Sequence, residues 1–181
     1  VQFWDAESGR ELPRLQGNTA WVKCATFSPD GRLMLTGGSF QAVRLWEVSS
    51  RRELRQLEGS LDEVTSVAFS PDGRLALAGY RWWSRSRVRF WEVESGHELR
   101  PFYHPGEEIT TSVTFSPDGR LALVGSAPMY GFANAKGIVR LWEVASRRGL
   151  WQMEDLSHFE VTSGLCCKNF KAHQSDAYSK I

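Results

Sequence analysis

VRLWEVSSRREL, running from Val43 to Leu54, decides the fold, because the chain carries four versions of it. VQFWDAESGREL starts at Val1, VRFWEVESGHEL at Val88 and VRLWEVASRRGL at Val139. The aligned tryptophans Trp4, Trp46, Trp91 and Trp142 stand 42, 45 and 51 residues apart. A second phrase keeps the same phase: FSPDGR begins at Phe27, Phe69 and Phe115, at spacings of 42 and 46. Two motifs sharing a period of about 40–45 residues describe one supersecondary unit, repeated, that buries its faces by stacking on its neighbours.

Inside each period the apolar residues alternate, as half-buried strands require. VTSVAF from Val64, RLALAGY from Arg74, RVRFWEV from Arg87 and HELRPF from His97 read as four consecutive strands. Ser-Pro-Asp-Gly joins the first to the second at Ser28, Ser70 and Ser116. Proline presets φ, aspartate favours the turn and glycine accepts positive φ, so this is a tight hairpin connection. Glu94-Ser95-Gly96 and its relatives Ser49-Ser50-Arg51 and Ala145-Ser146-Arg147 form a second tight turn between the third and fourth strands. Both turns belong on one face of the assembly, because each closes an outgoing strand onto a returning one at the same end.

These phrases resemble the WD-repeat family of β-propellers over residues 1–163, and the SPDGR wording looks most like bacterial WD repeats. Such repeats are often appended to signalling kinases or nucleotide-hydrolysing switch proteins. The resemblance implies an all-β, incomplete propeller of three whole four-stranded antiparallel blades with partial blades at both ends. The expected divisions are a partial blade at 1–15, blades at about 20–57, 63–102 and 109–153, and the start of a further blade at 158–163. Residues 164–181 read as a non-repeat tail, either disordered or artefactual. The chain opens inside a repeat, which reads as a fragment or a processed product.

Family blades often hold a buried hydrogen-bonded set of histidine, serine or threonine, aspartate and tryptophan. The histidine positions are occupied here by Asn18 and Ser60, the hydroxyl positions by Thr36, Ala78 and Val124, and the aspartate positions by Phe40, Arg85 and Lys136. Only the tryptophans persist throughout, so the blades are expected to be held mainly by apolar stacking and to be less stable than blades with the full set. Trp4, Trp46, Trp91 and Trp142 are assigned to the core, and Asp30, Asp72 and Asp118 to turns.

The composition, 41% hydrophobic and 24% charged over 181 residues, supports a buried core in one domain. A net charge of +1 supplies no global field for nucleic acid or anionic membrane. No apolar run approaches the ~18 residues of a membrane helix, and no membrane partner is expected. Cys24, Cys166 and Cys167 make no disulfide framework, which places the chain in a reducing, cytoplasmic setting.

Function is expected where the repeats disagree. The loops between second and third strands vary from GSFQ at 38–41, through YRWWSRSR at 80–87, to SAPMYGFANAKG at 126–137. Connections between blades vary too, as QGNTA from Gln16, EGSLDE from Glu58 and YHPGEE from Tyr103. Both kinds of loop fall on the face opposite the tight turns, where variable segments on a rigid scaffold are suited to binding.

The candidate partner-binding residues are Tyr80, Arg81, Trp82, Trp83, Arg85 and Arg87, joined by Met129, Tyr130 and Phe132 from the next blade. Tryptophan, tyrosine and arginine combine large contact area with directional hydrogen bonds, the chemistry of interface hot spots. The reading is a non-catalytic scaffold for a protein or peptide, within a larger signalling or regulatory protein. Two alternatives stand beside it: a nucleic-acid-binding propeller using the Arg/Trp loop, and a less favoured propeller enzyme fragment, for which the sequence offers no catalytic motif and only the scattered His97, His104, His158 and His173. No cofactor or metal is expected. His158, Cys166, Cys167 and His173 would be the candidate zinc set, but adjacent cysteines do not match structural zinc spacing. An arc left open at both ends exposes stacking faces and strand edges, so self-association is expected.

Overall fold

Among the described residues fourteen strands form, and the ladder order groups them into blades. The computed structural model describes residues 1–15, 21–39, 42–57, 62–81, 86–103, 108–128 and 137–154. A two-stranded piece pairs β1 (Phe3–Trp4) with β2 (Glu11–Leu12). The first whole blade is the meander β3 (Val22–Phe27), β4 (Leu33–Gly38), β5 (Val43–Glu47) and β6 (Glu53–Leu57). The second runs β7 (Glu63–Phe69), β8 (Leu75–Arg81), β9 (Ser86–Glu92) and β10 (Glu98–Tyr103). The third runs β11 (Glu108–Phe115), β12 (Leu121–Pro128), β13 (Ile138–Glu143) and β14 (Arg148–Glu154). Every ladder is antiparallel, as hairpin-linked strands must be.

The blades stack in chain order through their first strands. β7 lies against β3 and β4, and β11 against β7 and β8. Each blade therefore has a rear face toward its predecessor and a front face toward its successor. Between the first and second blades, Leu35, Val43 and Leu45 meet Val64, Val67, Phe69, Ala76 and Trp91. Between the second and third, Leu77, Val88 and Phe90 meet Val113, Phe115, Ala122 and Val124. Both faces of the second blade are apolar because both are covered, unlike an ordinary one-sided antiparallel sheet.

The phase of the repeat fixes the two-stranded piece. Phe3 meets Phe27 edge-on at 6.4 Å between ring centroids, as Phe90 meets Phe115 at 6.0 Å. β1 and β2 thus occupy the positions of third and fourth strands in a blade ahead of the first whole one. Trp46 and Trp91 are fully buried, and Trp142 is half-buried against the second blade. Trp4 departs from the expected core placement at 60% exposure. Trp46, Trp91 and Trp142 each lie opposite a second-strand residue, Met34, Ala76 or Ala122, whereas among the described residues β1 pairs only with β2.

The turns repeat atom for atom. Ser28 Oγ donates to Asp30 Oδ1 at 2.6 Å and accepts the Leu33 amide at 2.9 Å, while the Arg32 amide donates to Asp30 Oδ1 at 3.0 Å. Ser70 with Asp72, and Ser116 with Asp118, reproduce each of these bonds. The donors, the serine hydroxyl first, hold all three carboxyls below their ordinary value. In the second tight turn the backbone passes through the left-handed region at Gly9, Arg51, Gly96 and Arg147.

Candidate interaction face

β4, β8 and β12 all start at a tight turn and run away from it, so their far ends share one face with the starts of β3, β7 and β11. The variable loops and the connections between blades emerge there. The tight turns occupy the opposite end.

Arg81 closes β8 on this face and is exposed. It stands opposite Glu63, the first residue of β7, and Glu63 is salt-bridged to Lys23 of the preceding blade. Two residues before Lys23 lies Trp21, 81% exposed, whose carbonyl accepts the Ser39 amide at 3.2 Å. Trp21, Lys23, Glu63 and Arg81 therefore form a run across the first two blades. The sequence reading did not single out Trp21. A signal existed, since the equivalent positions in the next blades hold Glu63 and Ile109, and a tryptophan there breaks the repeat beside the variable QGNTA connection.

Tyr80 requires a correction: it was expected in the binding patch and is fully buried. On β8, Ala76, Ala78 and Tyr80 point to the rear face and join the core shared with the first blade. The Tyr80 ring lies 6.5 Å from Trp91, with the Arg89 guanidinium 5.9 Å from its centroid. Burial pushes the phenol well up from its ordinary value, and the Arg89 charge offsets part of that rise. Tyr80 is therefore a core residue of the junction between the first and second blades. Arg87 lies on β9, paired in the ladder with Tyr80. Trp82, Trp83, Arg85, Met129, Tyr130 and Phe132 lie outside the described residues, as do His158, Cys166, Cys167 and His173.

Beneath this face each blade ties an arginine of its third strand to an acid. Arg44 meets Glu53 at 2.9 Å, and Arg89 meets Glu98 at 2.8 Å. Gly149 replaces that glutamate in the third blade, and Arg140 turns instead to Glu108 at 2.6 Å and to Gln152 at 2.9 Å. These pairs are largely buried and structural, since removing one partner would strand a charge in the core. Cys24 is likewise structural: burial pushes its thiol up to about 12, far from the thiolate form that reactive cysteines need. Among the described residues no helix is long and apolar enough to cross a membrane.

The family model "WD domain, G-beta repeat" matches residues 9–47, 51–92 and 96–143. Over 45 residues, 25% of this chain, the sequence is 40% identical to "Apoptotic protease-activating factor 1" of Danio rerio. Over 45 residues it is 47% identical to "Nuclear distribution protein PAC1" of Arthroderma benhamiae. These matches span only 4% and 10% of the two proteins. The crystal structure of RRP9 WD40 repeats superposes at a TM-score of 0.65 with 20% identity, over 77% of this chain and 40% of that one. At that identity the likeness is one of fold.

Proposed function

Because this chain belongs to the WD-repeat family of β-propellers, we propose that it is a non-catalytic scaffold that captures a protein or peptide on its loop face, as part of a larger signalling or regulatory protein. A cytoplasmic setting belongs to the same proposal. The observation that carries it is that the strand ends flanking the variable connections lie at one end of otherwise repeated sheets, with Trp21 and Arg81 exposed there. Shared residues are committed to stacking and turns, which leaves the unshared ones to choose a partner. The contact set is Trp21, Arg81, Trp82, Trp83, Arg85, Arg87, Met129, Tyr130 and Phe132, with Tyr80 packed beneath it.

The test selects peptides from a displayed random library against the 181-residue chain. Selected peptides should lose binding by at least about tenfold when Trp83 and Arg85 are both replaced by alanine, roughly the loss of one hot spot, with the melting temperature unchanged. Peptides that bind this double variant as well as the parent would overturn the loop-face assignment. If single-stranded RNA bound instead, with affinity falling steeply as salt rises, the partner would be nucleic acid.

A further inference from the structure

The junction between the second and third blades supplies a template. Gly79, on the front face of β8, leaves room for Thr110 of the next blade, whose methyl a side chain at 79 would strike. The single Thr65 hydroxyl proton has two carbonyls in reach, that of Gly79 at 3.0 Å and, closer, that of Thr110 across the junction at 2.7 Å. Three residues beyond Thr110, the Val113 amide donates to Ser66 Oγ at 3.2 Å. The junction between the first and second blades keeps the same seat, with Val64 against Gly37.

The front face of the third blade presents the same elements. Gly125 occupies the position of Gly37 and Gly79, and among the described residues the nearest atoms to a side chain added there belong to Ser112 and Thr111 of its own blade. Thr111 Oγ1 donates to the Gly125 carbonyl at 3.2 Å, the equivalent of the Gly79 carbonyl in reach of Thr65. Leu123 and Leu141 are half-buried, whereas their equivalents Leu35, Leu77, Leu45 and Phe90 are covered by the next blade. The seat, the two hydroxyls and the apolar surround are in place.

Chain length names the occupant. Leu57, Phe102 and Met153 pair with the equivalent third-strand residues Val43, Val88 and Val139, and from the first two of them 7 residues lead to the seated Val64 and 8 to the seated Thr110. From Met153, again 8 residues lead to Val161. The surrounding Glu160–Ser163 reads EVTS, identical to Glu63–Ser66 around Val64. We propose that Glu160–Ser163 docks on the third blade as the inner strand of a further blade, with Val161 seated over Gly125. Thr111 Oγ1 then donates to the Val161 carbonyl, and the Gly164 amide donates to Ser112 Oγ.

Amide hydrogen exchange on the full chain, read by mass spectrometry, tests this. The amides of residues 161–164 should exchange at least about tenfold more slowly than an unstructured chain, as a docked strand does, at a rate independent of protein concentration. Val161→Asp should abolish this slowing and leave β11 and β12 unchanged, and Val161→Thr, which mimics Thr110, should keep it. Unprotected exchange at 161–164 in the parent would overturn the proposal. So would protection that Val161→Asp leaves intact, or protection that grows with concentration, the mark of a strand donated by a second copy.

Discussion

The Trp46 indole donates to Thr36 Oγ1 at 2.8 Å inside the first blade, in ladder positions that Trp91 and Ala78 fill in the second. Ala78 offers no acceptor, and Trp91 Nε1 finds no hydrogen-bond partner among the described residues. The family's hydrogen-bonded set thus survives in part where Thr36 is present, and in the second blade, where Ala78 replaces it, the buried Trp91 donor is left unmet among the described residues.

Ala78→Ser should supply that acceptor. A satisfied buried hydrogen bond contributes about 1 kcal/mol, which in a chain of this size raises the melting temperature by about 2–4 °C. Thr36→Ala should do the opposite and cost about 1–3 kcal/mol, because it strands the Trp46 indole. Thermal unfolding followed by circular dichroism compares the two, and a destabilised Ala78→Ser would show the pocket too tight for an oxygen.

The close approach of Gly79 to Thr110 predicts strain from the smallest side chain. Gly79→Ala should cost about 1–3 kcal/mol as an overpacked contact, since Thr110 is β-branched and fully buried. Adding Thr110→Ser, which removes the clashing methyl, should recover part of the loss. A double-mutant cycle in urea measures this, and simple additivity would mean that the contact is not the cause.

Arg51 and Arg147 hold φ of 58° and 57°, at the position that Gly9 and Gly96 occupy in the other repeats. Left-handed backbone is unfavourable for a residue with a Cβ. Arg51→Gly and Arg147→Gly should each stabilise by about 0.5–1 kcal/mol, the relief of strain less the added entropy of the unfolded chain. Denaturant midpoints that fall in both variants would contradict this.

Asp30, Asp72 and Asp118 have folded-state pKa values below their ordinary 3.8, so the sign of their pH effect is fixed. Their contribution is complete above that value and is lost as pH falls through the lowered folded-state values. The melting temperature should therefore decline on acidification below about pH 4. The triple variant Asp30→Asn, Asp72→Asn and Asp118→Asn should decline less steeply. Parallel curves for the two proteins would remove the turns from acid sensitivity.

Much of the architecture is legible in the sequence. Period-two alternation in VTSVAF and RLALAGY located β7 and β8, and SPDG located the turn between them, because turn chemistry is local and depends on residues within reach of one another. Thr36, Ala78 and Val124 could be assigned to one equivalent position of the second strand from repeat phase alone. The candidate site was less legible. Tyr80 and Arg81 are neighbours in one strand, and alternation separates them without saying which of the two is covered. Trp21 was passed over because its importance lies in what stands beside it across two blades, not in its own phrase.

The sequence by itself determined the repeating unit, its four strands, its two turns and the face on which its variable loops emerge. All of these follow from backbone stereochemistry and the period of the side chains. Only the tertiary structure decided which copies of a repeated residue are buried. Trp4 and Trp46 occupy the same place in the same phrase, yet one is 60% exposed and the other is sealed. The reason is that a blade buries nothing alone: exposure belongs to the neighbour that covers a face, and no residue carries its neighbour in its own identity.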